Sequence, residues 1–179
     1  MERGGVISIV LPAWVKDMLA ASVRYTSDED KVGLAIELAR LNVVNRTGGP
    51  FGAAVFATGG DRPIGVGVNL VESMHNSVLH AETVAFMHAE RALGTHELSG
   101  HELFSSAEPC AMCLGATHWA GVERLVFAAL REDATAVGYD EGPVFAESYD
   151  YLRARGLRVI AGLRRNESAD VLRLNGAQR

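Results

Sequence analysis

The chain's only two cysteines, Cys110 and Cys113, stand three residues apart directly behind Pro109. Proline suits the first helical position, where its missing N–H costs nothing, so the spacing predicts both cysteines in the first turn of a helix and on one face. The partial positive charge at a helix N-terminus favours the thiolate, the form that binds metal or reacts. Two thiolates rarely complete a zinc site, and His80, with Glu82 two residues on, is the candidate third ligand. A Cys2His set leaves the fourth tetrahedral position to water, the mark of a catalytic and not a closed structural site, and zinc can bring that water's pKa to about 7. Two plainer readings compete. A Cys-x-x-Cys after a strand also describes a thioredoxin-like redox pair, and a lone His or Glu near a helix start is more often solvated or capping than catalytic. The joint pattern, not any one residue, favours a metal centre.

The triplet His80-Ala81-Glu82 recurs as His88-Ala89-Glu90. Glu82, Ala85, Phe86, Ala89 and Leu93 share one stripe at helical spacing, which turns Glu82 toward the core and leaves His88 well off it. His88 and Glu90 therefore read as surface. A carboxylate on a core-facing stripe needs a reason, and catalysis supplies one.

These residues must be held by a chain of 179 residues, enough for one domain with a substantial core and no disulfides. We expect an N-terminal extension over 1–25 and a single domain over 26–179. No segment reaches the roughly 18 apolar residues that cross a bilayer, and the apolar run from Val6 to Leu11 lacks the flanks of a signal peptide. The expected compartment is the cytoplasm. A net charge of −5 argues against general nucleic-acid binding. From Tyr151 to Arg179, however, seven arginines face two acids. This surplus could meet phosphate, but the arginines are scattered without interleaved aromatics, which favours a solvated surface.

Thr26-Ser27-Asp28-Glu29 reads as a capping box before a helix through Val43. Phe51 to Thr58 and Ile64 to Asn69, joined by Gly59-Gly60-Asp61, predict a hairpin. A helix is expected from Asn76-Ser77 to about Leu93, a strand over Leu103 to Ser106, the cysteine helix through Trp119, and a strand over Glu123 to Ala129. A short helix near Glu132 to Val137 and a helix-strand-helix with its strand at Leu157 to Ala161 follow. Helices alternating with the later strands indicate an α/β sandwich with those strands parallel.

Phe51-Gly52-Ala53, Asn69, His80-Ala81-Glu82, Glu108 through Ala116 and Trp119 together resemble the zinc-dependent cytidine deaminase-like superfamily, particularly its guanine deaminase and tRNA adenosine deaminase branches. The H-x-E and P-C-x-x-C elements are its signature. The resemblance implies a three-layer α/β/α sandwich around a mixed five-stranded sheet, one zinc per chain and a homodimer. Val137-Gly138-Tyr139-Asp140-Glu141-Gly142-Pro143 is similar to the guanine deaminase loop, in which the acid at Glu141 meets the purine. A solvated turn carboxylate is the plain alternative for Glu141. Leu79 departs from the small residue usual before the histidine, and the sequence shown reaches Arg179 without the C-terminal tail found in many guanine deaminases.

The resemblance further implies hydrolytic deamination of a nucleobase, guanine to xanthine and ammonia. His80, Cys110 and Cys113 would hold zinc, with Glu82 as the proton shuttle. Asn69 would bond the substrate edge, while Phe51 and Trp119 line or stack on it; an ordinary core role for both aromatics stays open. The alternatives are deamination of cytosine, a triazine or a nucleoside, tRNA adenosine deamination, and a non-enzymatic module in which zinc is structural.

Overall fold

The structure is a computed structural model that describes residues 7–20 and 23–176. Residues 1–6 and 21–22 of the expected N-terminal extension, and 177–179 of the arginine-bearing end, lie outside the described residues. In chain order the elements are α1 (Ala13–Ala20), α2 (Asp28–Val44), β1 (Gly52–Ala57), β2 (Pro63–Val68), α3 (Ala81–Leu93), β3 (His101–Ala107), α4 (Ala111–Ala120), β4 (Arg124–Ala129), α5 (Arg131–Ala136), α6 (Ala146–Arg153), β5 (Arg158–Ala161) and α7 (Arg165–Gly176). The sheet has five strands in the order β2-β1-β3-β4-β5. β1 pairs antiparallel with both β2 and β3, whereas β3, β4 and β5 run parallel. The hairpin and the parallel later strands are those the sequence pattern predicts.

Alternation along β1 divides the core between two faces. Ala54 and Phe56 join Val15, Val32, Ile36, Phe104 and Val171 on one side, and Ala53 and Val55 join Ala85, Phe86, Leu103 and Leu125 on the other. Helices α1, α2 and α7 therefore cover one face and α3 covers the opposite one, completing the three layers. Glycines set the spacing of α3. A Cβ on Gly67 would stand 2.0 Å from the Ala81 carbonyl oxygen, and one on Gly65 would stand 2.5 Å from that of Ala85. Bare backbone in β2 thus lets the start of α3 lie directly on the sheet.

Three helix starts differ from expectation. α2 is capped by Ser27 and not Thr26: Asp30 N donates to Ser27 Oγ at 3.1 Å, and Asp30 Oδ2 accepts from Ser27 N at 3.0 Å. α3 begins at Ala81 and not at Asn76, because Asn76 Oδ1 accepts from Val78 N at 3.2 Å in a local turn that competes with helix. α4 begins at Ala111, so Pro109 lies outside it, Cys110 is the N-cap, and Cys113 alone occupies the first turn. Among the described residues no helix is long and apolar enough to cross a membrane.

Candidate active site

Strand register brings the predicted residues to one end of the sheet. Ala53 pairs with Ser105 in antiparallel β1/β3, so Phe51, just before β1, lies level with Ala107 and the turn that leads to Cys110. Gly52 pairs with Val68, which sets Asn69 beside the same turn. From the opposite face, α3 presents His80 as its N-cap and Glu82 in its first turn.

The ligand atoms of His80, Cys110 and Cys113 all lie within 4.8 Å of one another, and His80 Nδ1 is 3.4 Å from Cys110 Sγ. One imidazole and two sulfurs so spaced fit a tetrahedral zinc, whose bonds to such atoms are about 2.0–2.3 Å long. Without metal the thiols share protons unequally. A hydrogen bond from Cys113, with a further one from His80, holds Cys110 down at about 4. The Cys113 thiol is pushed far up by that same hydrogen bond and by burial. His80 is raised by its hydrogen bond to Cys110. His88 and Glu90, of the second triplet, take no part in this cluster.

Glu82 is 5% exposed, and Ser105 Oγ donates to its Oε1 at 3.0 Å. Burial raises its pKa, with the Cys110 charge adding to the effect. Beside it opens a cavity of about 210 Å³ lined by His80, Cys110, Glu82, Phe51, Asn69 and Glu141, among others. That is below the ~300–1,000 Å³ typical of sites for drug-sized ligands and suits a single heterocycle. Glu141 is 9% exposed, not a solvated turn carboxylate. Burial first, then the charges of Cys110 and Glu82, push it up to about 7. Its carbonyl accepts from Ala111 N at 3.0 Å, which ties the loop to the start of α4.

Trp119 lies apart from the other residues expected to meet the base. It is 80% exposed, stands against the His118 ring at 5.1 Å and does not line this cavity. Six residues past Cys113 amount to about 600° of helical rotation, which turns it well away from the cysteine face.

Sequence reasoning assigned no role to Glu108 or Tyr139, both of which line the cavity. Glu108 accepts from Arg131 N at 2.9 Å, from the Arg131 guanidinium at 2.8 Å and from Tyr149 Oη at 3.0 Å. Arg131 also donates to the Val144 carbonyl at 2.6 Å, so the pair braces the loop that carries Glu141. Tyr139 packs edge-on against Phe51 at 4.9 Å. Both residues lay within the motif segments, but their partners are remote in sequence. The C-terminal arginines meet acids of the chain itself: Arg164 pairs with Glu167 at 2.7 Å, Arg165 with Asp133 at 2.8 Å, and Arg153 with Asp150 at 3.4 Å.

Residues 25–129 match the model of the cytidine and deoxycytidylate deaminase zinc-binding region. The chain belongs to that family. It is 37% identical over 113 residues to a guanine deaminase of Bacillus subtilis, covering 63% of this chain and 71% of that protein. The solved structure of a guanine deaminase from Nitrosomonas europaea superposes with a TM-score of 0.90 at 37% identity, covering 99% of this chain and 100% of that one. A tRNA-specific adenosine deaminase of Haemophilus influenzae is 31% identical over 156 residues, 87% of this chain and 86% of that protein. Membership of this family and the donor set at His80, Cys110 and Cys113 make the family member a zinc-dependent deaminase, a hydrolase of C–N bonds.

Proposed function

We propose that this protein deaminates guanine, converting guanine and water to xanthine and ammonia. The observation that carries the reading is the placement of two buried carboxylates, Glu82 and Glu141, in one base-sized cavity beside the three metal donors. Zinc bound by His80, Cys110 and Cys113 supplies a Lewis acid that readies water for attack at neutral pH. Glu82, held by Ser105, takes the water proton and delivers it to the ring nitrogen beside C2. It then takes the proton left on the hydroxyl added at C2 and carries it to the amino group, which departs as ammonia as the C2–N bond breaks and the C2 carbonyl forms. A carboxyl whose pKa is raised by burial can hold a proton between these steps. Glu141, in its ionised form, accepts from the adjoining ring N–H and amino group of guanine. Asn69 bonds the base edge, and Phe51 lines its face.

Asp140 also lines the cavity beside Glu82 and Glu141, and this acidic lining favours an uncharged base over a phosphate-bearing strand. The catalytic unit is the single domain over 26–179. Free thiols as metal donors suit the reducing cytoplasm. The exposed Trp119, clustered with His118 and Tyr151, fits the buried face of a homodimer. Ammonia release measured across guanine, cytosine, adenine, triazines, their nucleosides and tRNA tests the reading. Guanine should be turned over fastest; inosine formation in tRNA without guanine turnover overturns it.

A further inference from the structure

We propose that Trp14, Thr47 and Asn42 form a hydrogen-bond relay through which helix α1 positions Asn69 and Gly49 at the rim of the base cavity. The inference rests on the guanine reading only for its kinetic test. Trp14 Nε1 donates to Thr47 Oγ1 at 3.1 Å. Thr47 Oγ1 stands 2.7 Å from Asn42 Oδ1 and 3.3 Å from the Asn42 carbonyl. Asn42 Nδ2 donates to the carbonyls of Gly49 and Asn69, both at 2.9 Å.

Proton counting gives the relay one direction. Indole N–H can only donate, so the Thr47 hydroxyl accepts from Trp14 and spends its single proton on the shorter contact, Asn42 Oδ1. That fixes which end of the Asn42 amide faces Thr47 and leaves both amide protons for the two carbonyls. Asn42 has no exposed surface, so every link it makes is shielded from competing water.

The two carbonyls belong to the chain just before β1 and just after β2, and Gly49 and Asn69 both line the cavity. Their approach is close enough that a Cβ on Gly48 would stand 1.9 Å from the Asn69 carbonyl oxygen and 2.7 Å from Asn42 Nδ2. Downstream, Asn69 N donates to the Phe51 carbonyl at 3.1 Å, and Asn69 Oδ1 accepts from Val71 N at 3.3 Å. Upstream, Val15 is fully buried and anchors α1, so Trp14 is held where it can donate. None of the three relay residues lines the cavity, and the metal donors and Glu82 sit on other elements. The relay therefore acts on base binding and not on proton transfer.

The zinc-loaded full chain is compared with Thr47→Val, Thr47→Ser and Trp14→Phe. Thr47→Val keeps shape without the hydroxyl, Thr47→Ser keeps the hydroxyl, and Trp14→Phe keeps a ring without the N–H. Loss of a neutral hydrogen bond predicts KM for guanine raised about 2- to 10-fold in Thr47→Val and Trp14→Phe, with kcat changed less than about 2-fold. Thr47→Ser should restore the wild-type KM. Hydrogen exchange of the backbone amides of residues 69–71 should quicken in Thr47→Val and Trp14→Phe and return to normal in Thr47→Ser. Unchanged KM and unchanged exchange in Thr47→Val overturn the relay, as does a serine variant that behaves like valine. A wild-type enzyme that releases no ammonia from guanine overturns the proposed substrate instead, and the exchange result then decides the relay by itself.

Discussion

Replacing Glu141 by alanine should separate guanine deamination from the deamination of other bases. Glu141 is 9% exposed and shares its cavity with Glu82, so in the proposed reaction its carboxylate would meet a base with little water to compete. Guanine offers a ring N–H and an amino group side by side; cytosine, whose amino-bearing carbon adjoins a ring nitrogen without a proton, offers no such pair. Loss of a hydrogen bond to a charged group costs about 1.5–3 kcal/mol, which is roughly 10- to 150-fold in kcat/KM. Glu141→Ala should lower guanine turnover by that factor, lower cytosine or triazine turnover far less, and leave zinc content unchanged. Steady-state kinetics on each substrate decide the matter. Equal and small losses would mean that Glu141 does not touch the base and would remove the main physical argument for guanine.

The same residue sets a pH dependence. In the metal-free site Glu141 is pushed up to about 7, and the form that accepts from guanine is the ionised one. Activity on guanine should therefore rise as pH climbs through the Glu141 pKa. A zinc ion nearby adds positive charge and draws that pKa below its metal-free value. In Glu141→Ala this acidic limb should be lost or reduced to the limb set by the remaining groups.

Glu82→Gln should keep zinc and fold but lower turnover by at least the ~10²–10⁴-fold of general acid–base catalysis, while Glu90→Gln does little; the reverse result would transfer the catalytic role to the second triplet. Zinc binding should release protons, because Cys113 holds its thiol proton tightly and His80 is raised toward its charged form. Titration calorimetry in two buffers of different ionisation enthalpy measures that release, and zinc affinity should increase with pH. Gly67→Ala forces a Cβ against the Ala81 backbone, where nothing flexible can yield, so about 1–3 kcal/mol of stability should be lost together with zinc affinity. Thermal melts and metal analysis of the purified variant check both effects.

The metal donors were legible because their types and spacing survive without knowledge of the fold, and the hairpin and parallel strands because their apolar runs are bounded by turn residues. Helix starts shifted where a side chain took a backbone partner of its own, as at Asn76, or where a distant carbonyl capped the first turn, as Glu141 does for Ala111. Helix α1 carries no cap signal, and its place depends on Trp14 and Val15 meeting a core formed much later in the chain. Trp119 stands apart from the cavity because its six-residue spacing from Cys113 along α4 turns it off the cysteine face. Glu108 carried no visible role in the sequence, since Arg131 and Tyr149, its partners, are 23 and 41 residues away.

The crowding of negative charge at the site leads to a last prediction, on metal and stability. Burial and like charge raise both Glu82 and Glu141, and the Cys110 thiolate adds to each shift. A carboxyl whose folded pKa lies above its unfolded value loses stability as pH rises from the unfolded pKa to the folded one, because the folded state must give up a proton it prefers to keep. The metal-free protein is therefore strained by these two groups most at neutral pH and above. A divalent cation among His80, Cys110 and Cys113 neutralises the thiolates and lowers the cost of ionising the carboxyls. At 100 times its Kd, zinc should add about 2.7 kcal/mol by mass action alone. For a chain of this length that corresponds to a Tm rise of about 5–10 °C. The gap between zinc-loaded and chelator-treated protein, followed by differential scanning calorimetry, should widen from pH 5 to pH 8. A Tm indifferent to chelator would remove the metal from the site, and a gap that narrows with rising pH would show that the carboxylates are not what the metal relieves.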